Sequence, residues 1–477
     1  MVSRLWISAI VPAIAIGVLT GCESEPGFPP PGPDYSQPEI PNGNNNNPTT
    51  DNTTDTATED TATGNGDSNP SPVVIPTPSL PKPAKAVLAA PENPDAEVNA
   101  RVAQIVDNMA AKGYGKSSQG IWMQSGDTLL ANHQGTVPLP AASLTKIATS
   151  LAVLDAFGPE HQFITEIGYT GTLENGVIQG DLVIIGGKDP FFVWEDAIAI
   201  GNALSKLGIT GVTGNLVIVG SFYMNYEDNP KTSGALLRQG LNVQLWPDDA
   251  YLQFENLPDN TPQPQVSAGG LVKTVKSTPA NIQPLLEYSS LPVAELLKKM
   301  NQYSNNPMAE MFARMVGGAG IVSQKTAELA GVPPAEIKLI NGSGLGEENQ
   351  MSPRAAIALF LAIQNLLEPY KMTVGDVVAI VGQDEGILES RPLPKFTVTK
   401  SGSLYAVSAL AGALPTRDRG TVWFAILNGG SSYEEFRAEQ EAFLNEFSAQ
   451  WGAVSRLPKE LKPGTSAFSK SRLKQVK

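Results

Sequence analysis

The stretch PAASLTKIATSLAVL, residues 140–154, places a serine and a lysine three apart, Ser143 and Lys146, where a helix should begin. Leu144, Ile147, Leu151 and Leu154 recur at helical period and form one apolar stripe. Pro138 and Pro140 precede the run, and Gly158 is placed to end it. Residues i and i+3 of a helix share a face, so Lys146 should lie beside the Ser143 hydroxyl. The helix N-terminus adds free N–H groups and partial positive charge. A serine nucleophile with a lysine base needs that placement; a solvated helix surface explains the same residues more plainly. The spacing recurs at Ser79 and Lys82, in a proline-rich run, and at Ser471 and Lys474, in a basic tail. Neither recurrence has a scaffold to hold it.

Two further motifs bear on the choice. The loop QYSNNPMAEMFAR carries Ser304, Asn305 and Asn306, with Pro307 suited to a first helical position and Asn306 to the N-cap. The segment FTVTKSGSL carries Lys400, Ser401, Gly402 and Ser403. Phe396, Val398 and Lys400 alternate on one side of the expected strand, so Lys400 ends an apolar row. Gly402 leaves room for a ligand backbone to approach. Ser-x-x-Lys, Ser-x-Asn and Lys-Ser/Thr-Gly, in this order, form the motif set of penicillin-binding proteins and serine β-lactamases.

On these motifs the chain resembles the class C low-molecular-mass penicillin-binding proteins, the D-alanyl-D-alanine carboxypeptidases and endopeptidases. The resemblance covers about residues 95 to 452. It extends to GDLVIIGGKDPFF, NGSGLGEENQMSP, KSGSLYAVSALAGAL and VWFAILNGG, and to a long insert between the first two motifs. It implies an α/β (α+β) transpeptidase fold: an antiparallel sheet flanked by helices, with an inserted α/β domain. It also implies roles. Ser143 would be the nucleophile, Lys146 its base, and Ser304 the proton carrier to the leaving D-alanine nitrogen. Asn306 would bind the substrate amide and orient Lys146. Lys400 would supply positive charge, the Ser401 and Ser403 hydroxyls would hold the substrate carboxylate, and the Ser143 and Ser403 N–H groups would form the oxyanion hole. Substrates would be peptidoglycan stem peptides, and β-lactam antibiotics covalent inhibitors. Two departures stand out: Lys-Ser-Gly replaces the commoner Lys-Thr-Gly, keeping the hydroxyl, and GSGLGEEN lacks the Ser-Arg that often follows Gly-Leu. The insert is also shorter than in the longest relatives.

The fold so implied predicts how Lys146 becomes a base. Two positive charges about 5 Å apart at an effective dielectric of 20 repel by roughly 3 kcal/mol, about two pKa units. Lys400, facing the same cleft, is therefore expected to depress Lys146, with burial adding to the effect.

The rest of the chain sets the context. Residues 1–22 have a short basic region, an apolar run and the box Leu19-Thr20-Gly21-Cys22, which read as a lipoprotein signal with lipidation at Cys22. Cys22 is the sole cysteine, so disulfides are excluded, and two histidines argue against a zinc site; no metal or cofactor is expected. Residues 23–92 are rich in Pro, Asn and Thr and read as a disordered tether. Residues 93–159 and 286–455 should form the peptidase domain, 160–285 the insert, and 456–477 a basic tail, read as a solvated end in preference to a contact with an anionic envelope polymer or lipid surface. The segment 23–80 has nine acids and no bases, and 456–477 has seven bases and one acid, which leaves an acidic body. That balance argues against nucleic-acid binding. The expected location is the bacterial envelope, membrane-anchored through Cys22. A non-catalytic penicillin-binding wall protein and a β-lactamase are the alternatives. The complete set of motif residues argues against the former, and the insert and tether against the latter.

Overall fold

The computed structural model describes residues 87–464 and 472–476. The signal peptide, Cys22 and residues 23–86 of the expected tether lie outside the described residues, as do 465–471 of the tail.

The centre is a five-stranded antiparallel sheet in the order Val398–Leu404, Val407–Thr416, Gly420–Gly429, Gln119–Ser125, Thr128–His133. Its inner strands are buried on both faces, which explains the near-continuous apolar runs VSALAGAL and VWFAIL. The period of two still sorts the side chains. Leu410, Leu414, Val422, Phe424 and Ile426 pack on one face against Val98, Val102, Phe443 and Phe447 of the terminal helices Ala96–Ala111 and Tyr433–Gln450. Ala409, Ala411, Ala413 and Ala425 point to the other face and its helical cluster. Small residues there let the helix Pro353–Leu367 and the turn Ala142–Leu144 lie close to the sheet, and the helix Thr145–Phe157 packs against Pro353–Leu367. Thr145 to Leu154 are all buried, so Thr145–Phe157 is a core helix and not an amphipathic surface one.

Residues 164–289 build two sheets around a separate core. In the six-stranded sheet, Leu182–Ile185, Leu216–Val219 and Val272–Val275 run parallel, with the helices Trp194–Lys206 and Pro230–Gly240 in the connections. Ile164–Tyr169 and Gln283–Ser289 complete it in antiparallel fashion. The run EIGYTGTL does not form one strand: it breaks at Gly171, and Thr172–Glu174 belongs to the second, four-stranded sheet.

Both ends differ from the expected boundaries. The expected tether includes Ala89, which is buried, and Val87, whose carbonyl accepts a bond from Gln124 Nε2. In the tail, Leu461 is buried and the Gly464 N–H donates to Asp376. Arg472–Gln475 adds an edge strand to Gln283–Ser289, with Lys474 opposite Glu287. A solvated end is therefore not what residues 456–464 and 472–476 form; backbone pairing holds the second segment. Among the described residues no helix is long and apolar enough to cross a membrane.

Candidate active site

Ser143 sits in a single 3-10 turn, Ala142–Leu144, that leads into the core helix. Ala142 has φ +45°, a sparsely populated conformation that turns the chain sharply before Ser143. Two close packings hold this turn. Gly344, at φ +89°, lies so near that a Cβ on it would come within 1.9 Å of the Ala142 carbonyl oxygen. A Cβ on Gly402 would lie 2.8 Å from Ser143 N. Only glycine fits at either position, so the NGSGLG loop and the Lys-Ser-Gly strand press on the turn from two sides.

Lys146 is fully buried in the first turn of the helix. Its Nζ lies 2.9 Å from Ser143 Oγ, 2.7 Å from Asn306 Oδ1 and 2.7 Å from the Ser343 carbonyl oxygen. A neutral amine has two N–H donors and one lone pair. Asn306 Oδ1 and the Ser343 carbonyl can only accept, so they take the two donors. The lone pair then faces the hydroxyl of Ser143, the one neighbour that can donate. Burial lowers the Lys146 pKa to about 7, against the upward pull of the Glu310 carboxylate.

Loss of hydration is the leading cause of the depression at Lys146. Lys400 and Lys146 also repel, a coupling that belongs to both amines. Lys400 is also buried, and burial, then the charge of Lys146, hold its pKa well below that of an ordinary lysine. Lys400 Nζ donates to Ser304 Oγ at 3.0 Å and to the Ser401 carbonyl. It holds Ser304 and its own strand.

The remaining motif residues converge on the same place, with two local corrections. Asn305, not Asn306, is the N-cap of the helix Asn306–Met315: its side chain accepts from Met308 N at 2.9 Å. Asn306 is the first helical residue, which frees its amide for Lys146. Ser304 has φ +53°, which turns its hydroxyl to Lys400. Phe396 lies outside the strand at φ +68°, so the apolar row ending in Lys400 starts at Val398. That strand is the sheet edge. Thr399 N donates outward to Ala379 O, so by alternation the N–H groups of Ser401 and Ser403 also point away from the neighbouring strand.

Three contributors were not read from the sequence. Ser343 supplies the carbonyl on Lys146. Glu310, one turn after Asn306, accepts from Gly342 N and Ser343 N and thereby fixes that carbonyl. Asn349 is buried, accepts from Ile340 N and Asn341 N, and its own carbonyl accepts from Ala141 N. The i, i+4 spacing of Asn306 and Glu310 was the available signal for the second; a backbone carbonyl leaves none.

Chemically, this is a buried amine against a serine hydroxyl, a second serine held by a second amine, and an edge strand with outward N–H groups. A family model described as the D-Ala-D-Ala carboxypeptidase 3 (S13) family matches residues 102–235 and 260–450. Carboxypeptidase Rv3627c of Mycobacterium tuberculosis is 27% identical over 342 residues, covering 61% of this chain and 71% of the relative. The D-alanyl-D-alanine carboxypeptidase DacB of Haemophilus influenzae is 22% identical over 419 residues, covering 67% and 86%. Among solved structures, the penicillin G-acylated Bd3459 predatory endopeptidase from Bdellovibrio bacteriovorus, in complex with immunity protein Bd3460, superposes with a TM-score of 0.59 at 20% identity, covering 75% of this chain and 99% of that one. That likeness establishes the penicillin-binding-protein fold. With its family match spanning most of the chain, the protein belongs to the D-Ala-D-Ala carboxypeptidase 3 (S13) family.

Proposed function

We propose that the protein is a serine D-alanyl-D-alanine carboxypeptidase/endopeptidase that cleaves peptidoglycan stem peptides through an acyl-enzyme on Ser143 and is blocked by penicillin. The observation that carries this is the contact set of Lys146: two obligate acceptors on its donors and Ser143 on its lone pair. A free serine is a weak nucleophile and needs such a base. Ser143 Oγ attacks the carbonyl carbon of the scissile peptide and its proton passes to Lys146 Nζ. The oxyanion that forms lies between the N–H groups of Ser143 and Ser403. The C–N bond then breaks, and the leaving nitrogen takes a proton through Ser304 Oγ, which Lys400 holds in place. Asn306 orients Lys146 and the substrate amide. Gly402 keeps the strand close enough for substrate to pair along it, and the hydroxyls of Ser401 and Ser403 receive the carboxylate. Water hydrolyses the ester. The named activities of the family and of its carboxypeptidase relatives support this reading over a non-catalytic or β-lactamase role.

We further propose that the protein works in the bacterial envelope, attached to a membrane by lipid on Cys22. The lipobox ahead of a polar, proline-rich segment is the support. One acyl chain gives marginal binding and two give stable anchoring.

Fluorescent penicillin is expected to label the protein on the peptide containing Ser143, and Ser143→Ala to lose the label; label on another residue, or undiminished label in the variant, refutes the assignment. The acylation rate should fall as pH drops through about 7, where Lys146 becomes protonated. Glu310 raises that pKa, so Glu310→Gln should move the acid limb to lower pH. A limb shifted to higher pH, or one lying near the free-lysine value of about 10.4, contradicts the account. Cys22→Ser should leave the protein unprocessed or free in the envelope fluid, and unchanged membrane fractionation and mobility would rule out the anchor.

A further inference from the structure

The carboxylate end of the substrate needs a cation, and Lys400 is committed to Ser304 and to the Ser401 carbonyl. Arg437 supplies the alternative. It lies near the start of the Tyr433–Gln450 helix, which packs on the central sheet. Its Nη2 donates to Ser403 Oγ at 2.9 Å, and its guanidinium lies over the Tyr433 ring at 4.9 Å. Arg437 Nε is buried with no hydrogen-bond partner among the described residues. The carboxylates along the same helix face other groups: Glu435 accepts from Tyr114, Glu439 from Lys112 and Glu441 from Arg391. None of the ion pairs among the described residues uses Arg437. Arginine keeps its charge at any physiological pH, and its planar fork matches a carboxylate.

We propose that Arg437, beside the Ser403 hydroxyl it contacts, binds the carboxylate next to the scissile bond, both on the leaving D-amino acid and on penicillin. This rests on the reading of Ser143 as the acylated serine. A carboxylate bridging Ser403 and Arg437 would draw the substrate along the edge strand, with its carbonyl towards the N–H groups of Ser143 and Ser403. The aromatic face of Tyr433 would hold the guanidinium flat for that contact. The rival account makes Arg437 a clamp that only positions Ser403.

The test compares acylation by benzylpenicillin and by its methyl ester, which lacks the free carboxylate, in the full chain and in Arg437→Gln. A lost charge-assisted hydrogen bond predicts a drop of about ten- to a hundredfold with benzylpenicillin and of less than about threefold with the ester. Arg437→Lys keeps the charge without the fork and should show the same selectivity at smaller size; it carries the comparison if the glutamine variant does not fold. Equal losses on both compounds identify a clamp and overturn the proposal, as does no loss on either. A parent protein that benzylpenicillin does not acylate at Ser143 overturns the functional reading itself, and so is distinguished from failure of the Arg437 assignment.

Discussion

The burial of one amine governs the arrangement of the site. Lys146 lies inside a helix whose first ten residues are buried, and its three polar neighbours leave no room for water on the amine. Charge is costly there because among the described residues no carboxylate pairs with Nζ; Glu310, whose charge pulls the pKa upward, is spent on the backbone N–H groups of Gly342 and Ser343. A surface lysine at the same spacing from Ser143 would be protonated at neutral pH and useless as a base. The tertiary packing that buries the helix therefore creates the reactivity, and the Ser-x-x-Lys spacing only aims it.

Around that amine, three chain segments distant in sequence are held by backbone contact. The NGSGLG loop reaches the Ala142 carbonyl because Gly344 has no Cβ, and the Lys-Ser-Gly strand reaches the Ser143 amide because Gly402 has none. Thr149 Oγ1 donates to the Gly342 carbonyl, and Asn301 Nδ2 donates to Ser150 Oγ and to the Val377 carbonyl. These bonds tie the helix to the NGSGLG loop and, through Asn301 of the helix Val293–Gln302, to the Val377 carbonyl. The alanines of the Val407–Thr416 strand let the turn Ala142–Leu144 that leads into the Lys146 helix approach the sheet. Local turns, core packing and catalytic geometry are thus mutually consistent, as a uniquely specified site requires.

Much of this was legible in the sequence, for physical reasons. Ser143, Lys146, Ser304, Asn306 and Lys400 stand out because side-chain chemistry at fixed spacing is written in residue identity, and the structure brings them into one network. The terminal helix Ala96–Ala111 carries Val98, Val102, Ile105 and Met109 at helical period. What was not legible depends on backbone or on burial. The Ser343 carbonyl has no residue signature. The cap at Asn305 and the left-handed φ of Ser304 and Phe396 are set by local dihedrals that adjacent residues could equally have adopted. The leading weight of burial in the Lys146 shift was not legible, because pattern shows which charges are near, whereas desolvation depends on how completely the helix is enclosed. Arg437 escaped notice since a helix arginine is ordinarily a solvated one, and its contact with Ser403 spans 34 residues. The edge strand Arg472–Gln475 escaped notice because its basic composition reads as tail while its backbone pairs with the sheet.

The most direct test of the central claim is titration of the Lys146 amine itself, by NMR of lysine labelled at Cε and Nζ, with the signal assigned by its loss in Lys146→Met. The account predicts a midpoint near about 7 in the free protein. A midpoint near the free-lysine value of about 10.4 would contradict it, and with it the assignment of Lys146 as the base that activates Ser143.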